Sequence, residues 1–239
     1  MLLPTIGIAN TMRLKLASLA LLSIAACHAN NVITLSVDGL PSTNQDGTYN
    51  GFASATINGI SNQLIICDDY THVTYVPSGN MVYDFSTVGG NDALDGVRFD
   101  QGSPAQQVHD YEEAAVLVWE LYDYVSANGA KASANTITDY QYALWNIFDS
   151  GITTTANQAA LQAAAVSLMT TQSVMLTASV YPYVDVYTPS SAPGSNYSSN
   201  QEFLQYAAPE PGTLLLLAGG LLVATAAKMR RELRKRPRA

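Results

Sequence analysis

The chain has 239 residues, of which 48% are hydrophobic and 13% are charged, and its formal net charge is −8 at pH 7. This length and hydrophobic content suffice for one folded domain with a substantial core. The acidic balance excludes nucleic acid as an expected partner, because phosphate backbones repel an acidic surface.

The N-terminal segment has the three parts of a secretory signal peptide. A basic stretch at 12–15 precedes an apolar core at 16–26, and small residues around Ala29 provide a cleavage site. We therefore assign residues 1–29 to a signal peptide. Met12 is an alternative start, because the eleven residues before it contribute nothing to this pattern.

A second interpretation of the same segment concerns Cys27. Residues 24–27 resemble a lipoprotein signal, in which Cys27 would become the acylated first residue of the exported chain. Cleavage after Ala29 is the favoured interpretation, because a lipid anchor would be redundant with the C-terminal tail described below. Both interpretations place the main domain outside the cytoplasm.

The region between the signal peptide and the tail is far more acidic than the whole chain. Its two positive side chains, Arg98 and Lys131, stand against 17 of the 19 Asp and Glu residues, which leaves a net charge near −15. Anionic membrane surfaces would repel such a domain, whereas cations and basic partners would be attracted to it.

The first part of the mature region has the pattern of β-strands. Apolar and β-branched stretches at 32–37, 51–57 and 63–67 are separated by turn sequences such as Asn58-Gly59. The pattern continues through 81–85.

Beyond Ser103 the apolar residues recur at helical spacing. The first predicted helix covers 108–125, with Ser103 as its N-cap and Pro104 in its first turn. A second helix is predicted over 138–148, and a third, rich in Ala, over 157–169.

The strand pattern returns at 174–187. The predicted fold class is therefore α+β, with β-strands flanking a helical insert in one mature domain, 30–187. Residues 188–207 begin with a run rich in Ser, Pro and Asn, which predicts a linker.

One cysteine and one glutamine of the mature domain are candidates for chemistry. After signal cleavage Cys67 is the one remaining cysteine, and a lone thiol is unusual in an exported protein, where even counts and disulfides prevail. About seventy residues later, Gln141 and Trp145 lie one helical turn apart on one face of the second predicted helix. The alternative is structural: Cys67 as a small buried residue, Gln141 as an exposed helix residue and Trp145 as core.

The order of a strand-borne Cys67 followed by Tyr140-Gln141-Tyr142-Ala143-Leu144-Trp145 resembles the thioester domains of bacterial surface adhesins. That resemblance implies that Cys67 and Gln141 condense, with loss of ammonia, into an internal thioester that Trp145 shields. It also implies that an amine on a partner, such as a lysine, attacks the Gln141 carbonyl and forms a permanent amide. His72 or His109 could serve as a base, but the sequence places neither beside the pair.

Residues 208–239 consist of three ordered parts. Pro209-Glu210-Pro211 is followed by an apolar run at 213–227, which predicts a membrane helix. As a helix these fifteen residues measure roughly 22 Å, less than the ~30 Å of a hydrocarbon core, so a permanent anchor would be marginal. The run ends in a basic cluster that should stay cytoplasmic, formed by Arg230, Arg231, Arg234, Lys235 and Arg236.

This order resembles the PEP-CTERM sorting signal. The resemblance implies an inner-membrane intermediate that an exosortase cuts near Pro209-Glu210-Pro211, after signal peptidase has acted at the other end. It further implies a cell-surface or extracellular protein of a two-membrane bacterium that makes exopolysaccharide. A permanent tail anchor of the same topology is the alternative.

The sequence has no Ser/His/Asp triad signature, phosphate loop or CxxC pair, so we expect neither an enzyme nor a cofactor nor a metal site. Two functions remain. The first is a non-enzymatic, exosortase-sorted protein of the surface or matrix, associated with exopolysaccharide or biofilm. The second is a covalent adhesin whose Cys67–Gln141 thioester reacts with amines on a partner.

Overall fold

The structure is a computed structural model, and it describes residues 32–40, 43–45, 48–90, 94, 96–99, 102–190 and 200–207. The predicted signal peptide at 1–29 and the predicted sorting tail at 208–239, with its membrane helix at 213–227, lie outside these residues. Across the described ranges, no single helix is long and apolar enough to cross a membrane. One pair bent by 95°, 156–171 with 173–183, meets that criterion only when both halves are taken together.

The predicted α+β class is confirmed, and the helices are inserted between the sixth and seventh strands. The strands are β1 Val32–Gly39, β2 Thr43–Gln45, β3 Thr48–Asn50, β4 Ala53–Ile57, β5 Ile60–Cys67, β6 Met81–Thr87, β7 Val184–Pro189 and β8 Phe203–Tyr206. The α-helices are α1 Pro104–Asn128, α2 Ala134–Phe148, α3 Ala156–Thr171 and α4 Ser173–Ser179.

Six of these strands close into a barrel in the order β1-β4-β5-β8-β7-β6, and every neighbouring pair is antiparallel. The remaining two, β2 and β3, form a separate hairpin. Closure satisfies the edges that an open sheet would leave exposed.

The core has two parts because successive strand residues point to opposite faces. In β5, Ile65 packs inside the barrel, whereas Ile66 packs against the helices. In β8 the same division separates Phe203, which faces inward, from Leu204, which faces the helical layer. The barrel wall therefore carries the helical insert on its outer surface.

The helices begin where the sequence provides caps. The Ser103 hydroxyl accepts a hydrogen bond from the Gln106 N–H at 3.2 Å, as predicted for the start of α1. Ser133 caps α2, which therefore begins four residues before the predicted 138. Thr155 and Gln158 form a reciprocal capping box at the start of α3.

The strand predicted over 174–187 is wrong in its first ten residues. The chain there forms α4 and a short 3-10 turn at Tyr181–Tyr183, and only β7 is extended. Leu176 is fully buried in the helix-facing core while Val174 is 84% exposed, so packing of one helical face overrides the β-propensity of the segment.

The stretch predicted to be a linker, 188–207, contributes to the barrel. Within it, β8 pairs with both β5 and β7 and closes the circle of strands. Phe203, Leu204 and Gln205 are all buried, as is Thr188 at the end of β7. The polar composition after Thr188 predicted a linker, and the short strand β8 was therefore missed.

Candidate functional site

A cavity of about 340 Å³ lies between the C-terminal end of β5 and α2. Its wall includes Cys67 from the end of β5 and both Gln141 and Trp145 from α2, together with His72 from the loop after β5. We call it the Cys67 cavity. The structure thus brings together the three residues that the sequence singled out, although 74 residues separate Cys67 from Gln141 in the chain.

The Cys67 sulfur is held by the backbone of the residue two positions later. The thiol donates a hydrogen bond to the Asp69 carbonyl at 3.0 Å and accepts one from the Asp69 N–H at 3.3 Å. Burial raises the pKa of the Cys67 thiol, and the nearby negative charges of Asp68 and Asp69 raise it further. Cys67 is therefore a positioned, protonated thiol rather than a solvent-exposed thiolate.

Gln141 is buried, 1% exposed, and not the exposed helix residue of the structural alternative. Its side-chain Nε2 donates to the Cys67 carbonyl oxygen at 2.6 Å, and its Oε1 accepts from the Gly51 N–H at 3.1 Å. Gly51 has a φ of 95°, a backbone conformation that favours glycine, at the turn that presents this N–H to the cavity. Both ends of the amide are thus fixed beside the residue that carries the thiol.

Trp145 covers the cavity one helical turn beyond Gln141. Its ring centroid lies 5.1 Å from that of Tyr70 and 5.2 Å from that of Tyr142. The indole N–H has no hydrogen-bond partner within the described residues. The indole lies close enough to the Cys67 sulfur to act to lower the pKa of the thiol, against the larger effect of burial. Trp145 and Tyr70 both line the cavity, and we call this pair of rings the aromatic cover.

A second group of residues surrounds the buried Asp69 carboxylate, and the sequence analysis named only His72 among them as a candidate for chemistry. The carboxylate accepts from the Thr71 N–H and hydroxyl at 3.1 and 3.0 Å, contacts His72 Nδ1 at 2.9 Å, and forms an ion pair with Arg98. An Asp three residues before a His, directly after a strand, is the local signal that could have indicated this pairing.

The two histidines named from the sequence lie in different places. His72 lines the Cys67 cavity, and its side chain is 32% exposed. His109 lies on α1, where its Nδ1 is 3.5 Å from the Asp110 carboxylate, and it is absent from the described wall of this cavity.

Two further buried acids lie behind the site. The Glu202 carboxylate accepts from the Tyr111 hydroxyl at 2.5 Å, from the Arg98 N–H at 2.8 Å and from the Thr188 hydroxyl. Burial raises the pKa of both Glu202 and Asp68, and the neighbouring Glu202 charge raises that of Asp68 further. Through Tyr111 and Thr188, the Glu202 carboxylate connects the segment before β8 to α1 and β7.

The other sites predicted from the sequence lie in the C-terminal tail. The sorting motif Pro209-Glu210-Pro211 and the basic residues at 230–236 lie outside the described residues and stay predictions. Within the part of the chain that the structure covers, no group of three His, Cys, Asp or Glu side chains could hold a metal ion.

Comparison with known proteins gives limited similarity. No family model matches the sequence, and no curated protein matches it. One similar solved structure is the N-terminal thioester domain of fibronectin-binding protein SfbI from Streptococcus pyogenes, with 12% identity and a TM-score of 0.37 over 74% of this chain and 93% of that one. Another is the N-terminal domain of the Streptococcus pyogenes pilus tip adhesin Cpa, with 14% identity and a TM-score of 0.39 over 74% and 94%. At these values, any assignment of the site depends on its own geometry.

Proposed function

We propose that the domain forms an internal thioester between Cys67 and Gln141 and uses it to bond covalently to an amine on a partner. One observation carries the proposal: the buried Gln141 amide is hydrogen-bonded to the carbonyl of Cys67 itself, inside the cavity that the thiol also lines. Two side chains held in this way behave as reactants at a very high local concentration.

The hydrogen bonds of Gln141 suit an attack on its carbonyl carbon. The Cys67 sulfur adds to Cδ, the C–N bond breaks, and the amide nitrogen leaves as ammonia with the thiol proton. Charge that develops on Oε1 during this step is stabilised by the Gly51 N–H, which already donates to that atom. The bond from Nε2 to the Cys67 carbonyl fixes the direction of the leaving nitrogen.

The surroundings suit the survival of the product. The Trp145 and Tyr70 rings pack against each other in the cavity wall beside Cys67, and this pair of rings would limit the access of water to the sulfur. Excluding water slows hydrolysis, whereas an amine can still react. In that reaction the amine nitrogen bonds to the Gln141 carbonyl carbon, the C–S bond breaks, and the Cys67 thiol regains a proton.

The decisive experiment is the intact mass of the exported chain before and after methylamine, with Cys67→Ala as the control. A mass lower by one ammonia, absent from the control and replaced by a methylamine adduct, is the expected result. A mass equal to the sequence, with a thiol that labels with maleimide after denaturation, would contradict the thioester. It would leave a domain that acts by non-covalent binding or assembly.

The location is proposed from the sequence alone. The signal peptide and the tail support export, an inner-membrane intermediate and release to the cell surface or extracellular matrix by an exosortase. Association with exopolysaccharide, or with an amine of a surface protein, would follow there. Fractionation of cells that express the chain with and without 208–239 tests this proposal, because loss of the tail should prevent membrane retention.

A further inference from the structure

We propose that His72, oriented by Asp69, is the general base and general acid for the reaction of an amine at the Cys67–Gln141 thioester. This inference rests on the proposed thioester and assigns its proton-transfer residue. It is carried by the place of His72 in the wall of the Cys67 cavity and by its hydrogen bond to a buried carboxylate.

The first step of the argument is the orientation of the imidazole. Nδ1 of His72 lies 2.9 Å from the Asp69 carboxylate, and the His72 backbone N–H donates to the same carboxylate at 3.2 Å. A carboxylate accepts hydrogen bonds and does not donate them, so this contact places the ring proton on Nδ1. Nε2 then has its lone pair available for a proton.

The second step is the state of Asp69. Its carboxylate is fully buried, pairs with the Arg98 guanidinium and accepts from Thr71 as well as from His72. A carboxylate held by so many donors is fixed in place and orients the imidazole through Nδ1. Asp69 is therefore a positioning residue.

The third step is that Asp69 also holds the Cys67 sulfur, which is the leaving group of this reaction. Its backbone N–H and carbonyl both bond to the Cys67 sulfur, while its side chain bonds to His72. One residue thus fixes the sulfur and the imidazole relative to each other. Gln201, which lies two residues before β8, reinforces this arrangement, because its Nε2 donates to the Asp69 carbonyl at 3.0 Å.

The proton balance of the reaction needs one group that accepts and then returns a proton. The amine nitrogen attacks the Gln141 carbonyl carbon and transfers a proton to His72 Nε2. The C–S bond then breaks, and the imidazolium gives that proton to the departing Cys67 thiolate, whose protonated form the buried site favours. The amide and the thiol form, and His72 returns to its starting state. Imidazole commonly performs both roles in enzymes.

The test uses the exported full chain in detergent and follows methylamine-adduct formation by intact mass. His72→Ala is compared with His109→Ala, a histidine outside the cavity wall, and with His72→Gln. The Gln variant retains a donor for Asp69 but cannot transfer a proton. We expect all three to form the thioester, and His72→Ala and His72→Gln to react at least about tenfold more slowly than His109→Ala, within the usual contribution of proton transfer.

Chemical rescue distinguishes a catalytic role from a structural one. Added 2-methylimidazole, which is too hindered to be a good nucleophile, should restore the adduct rate of His72→Ala and leave that of His109→Ala unchanged. A His72→Gln rate equal to wild type, or a His72→Ala loss that imidazole does not relieve, would overturn the role of His72 while the thioester stands. A wild-type mass that retains the ammonia would overturn the thioester and this inference together.

Discussion

Gln141 satisfies two backbone groups from different parts of the chain, the buried Gly51 N–H and the partly buried Cys67 carbonyl. Replacement by Ala leaves both without this partner. A buried polar group deprived of its partner costs about 1–3 kcal/mol. In the Cys67→Ala background, where no thioester can form and the Gln141 amide stays intact, we therefore expect Gln141→Ala to lower the free energy of unfolding by roughly 2–4 kcal/mol in urea denaturation.

A matched control is available on α3. Gln162 is half-buried, and its Nε2 makes one hydrogen bond, to the Ala143 carbonyl at 3.0 Å. We expect Gln162→Ala to cost about 1 kcal/mol or less, because the Ala143 carbonyl lies within α2 and keeps its helical hydrogen bond. Equal losses for the two variants would show that Gln141 is not a structural link between β5 and α2.

Tyr70 is the outer ring of the aromatic cover, 45% exposed and packed against the buried Trp145. If that cover keeps water from the sulfur, Tyr70→Ala should speed loss of the thioester to hydrolysis several-fold, measured as the gain of water mass over time. Tyr75 is 83% exposed and lies outside the described cavity wall, so Tyr75→Ala should leave the hydrolysis rate unchanged. Similar rates for both variants would mean that Tyr70 does not exclude water.

At the scale of elements, β8 is the strand on which closure of the barrel depends. It pairs with β5 and β7 and places Phe203 in the barrel interior and Leu204 in the helix-facing core. We expect a chain that ends at 190 to lose the cooperative thermal transition, and one that ends at 207 to retain it. Full stability of the shorter chain would show that β8 is not needed for folding and that the residues after 190 act as the predicted linker.

The elements show what local sequence patterns contain. Ser103 and Pro104 predict the start of α1 because a cap depends on residues a few positions apart. The segment at 174–183 misled because its strand propensity is weak beside the burial of Leu176, which depends on distant partners. β8 was missed because four residues give little periodicity after a polar run.

The site shows the same difference between features encoded locally in the sequence and contacts between distant residues. Cys67 was identified as the lone cysteine of the mature domain, and Gln141 and Trp145 by the resemblance to thioester domains. The structure places all three around one cavity. The Asp69–Arg98 ion pair and the Glu202–Tyr111 hydrogen bond join residues 29 and 91 positions apart. No local period encodes such contacts, since they arise only when the barrel closes against the helices.

At the scale of the whole molecule, burial of acids sets the dependence of stability on pH. Burial raises the pKa of Asp68, Glu202 and Asp185, and that of Asp185 reaches about 6. Between the ordinary pKa of a carboxyl and the raised value, the folded chain binds more protons than the unfolded chain. The free energy of unfolding should therefore fall as pH rises through that range.

Asp185 allows this dependence to be tested at one position. Its carboxylate accepts from the Thr87 hydroxyl at 3.0 Å, and an Asn at 185 can keep that bond while removing the charge. We expect wild type to lose stability between about pH 4 and pH 6, with a contribution from Asp185 on the order of 1–3 kcal/mol, because each pKa unit corresponds to about 1.4 kcal/mol. Asp185→Asn should lack that contribution, and the slope that remains in urea titrations at several pH values should come from the other carboxyls whose pKa burial raises, Asp68, Glu202 and Glu113 among them. An unchanged slope in the variant would show that the Asp185 carboxyl titrates alike in the folded and unfolded chain.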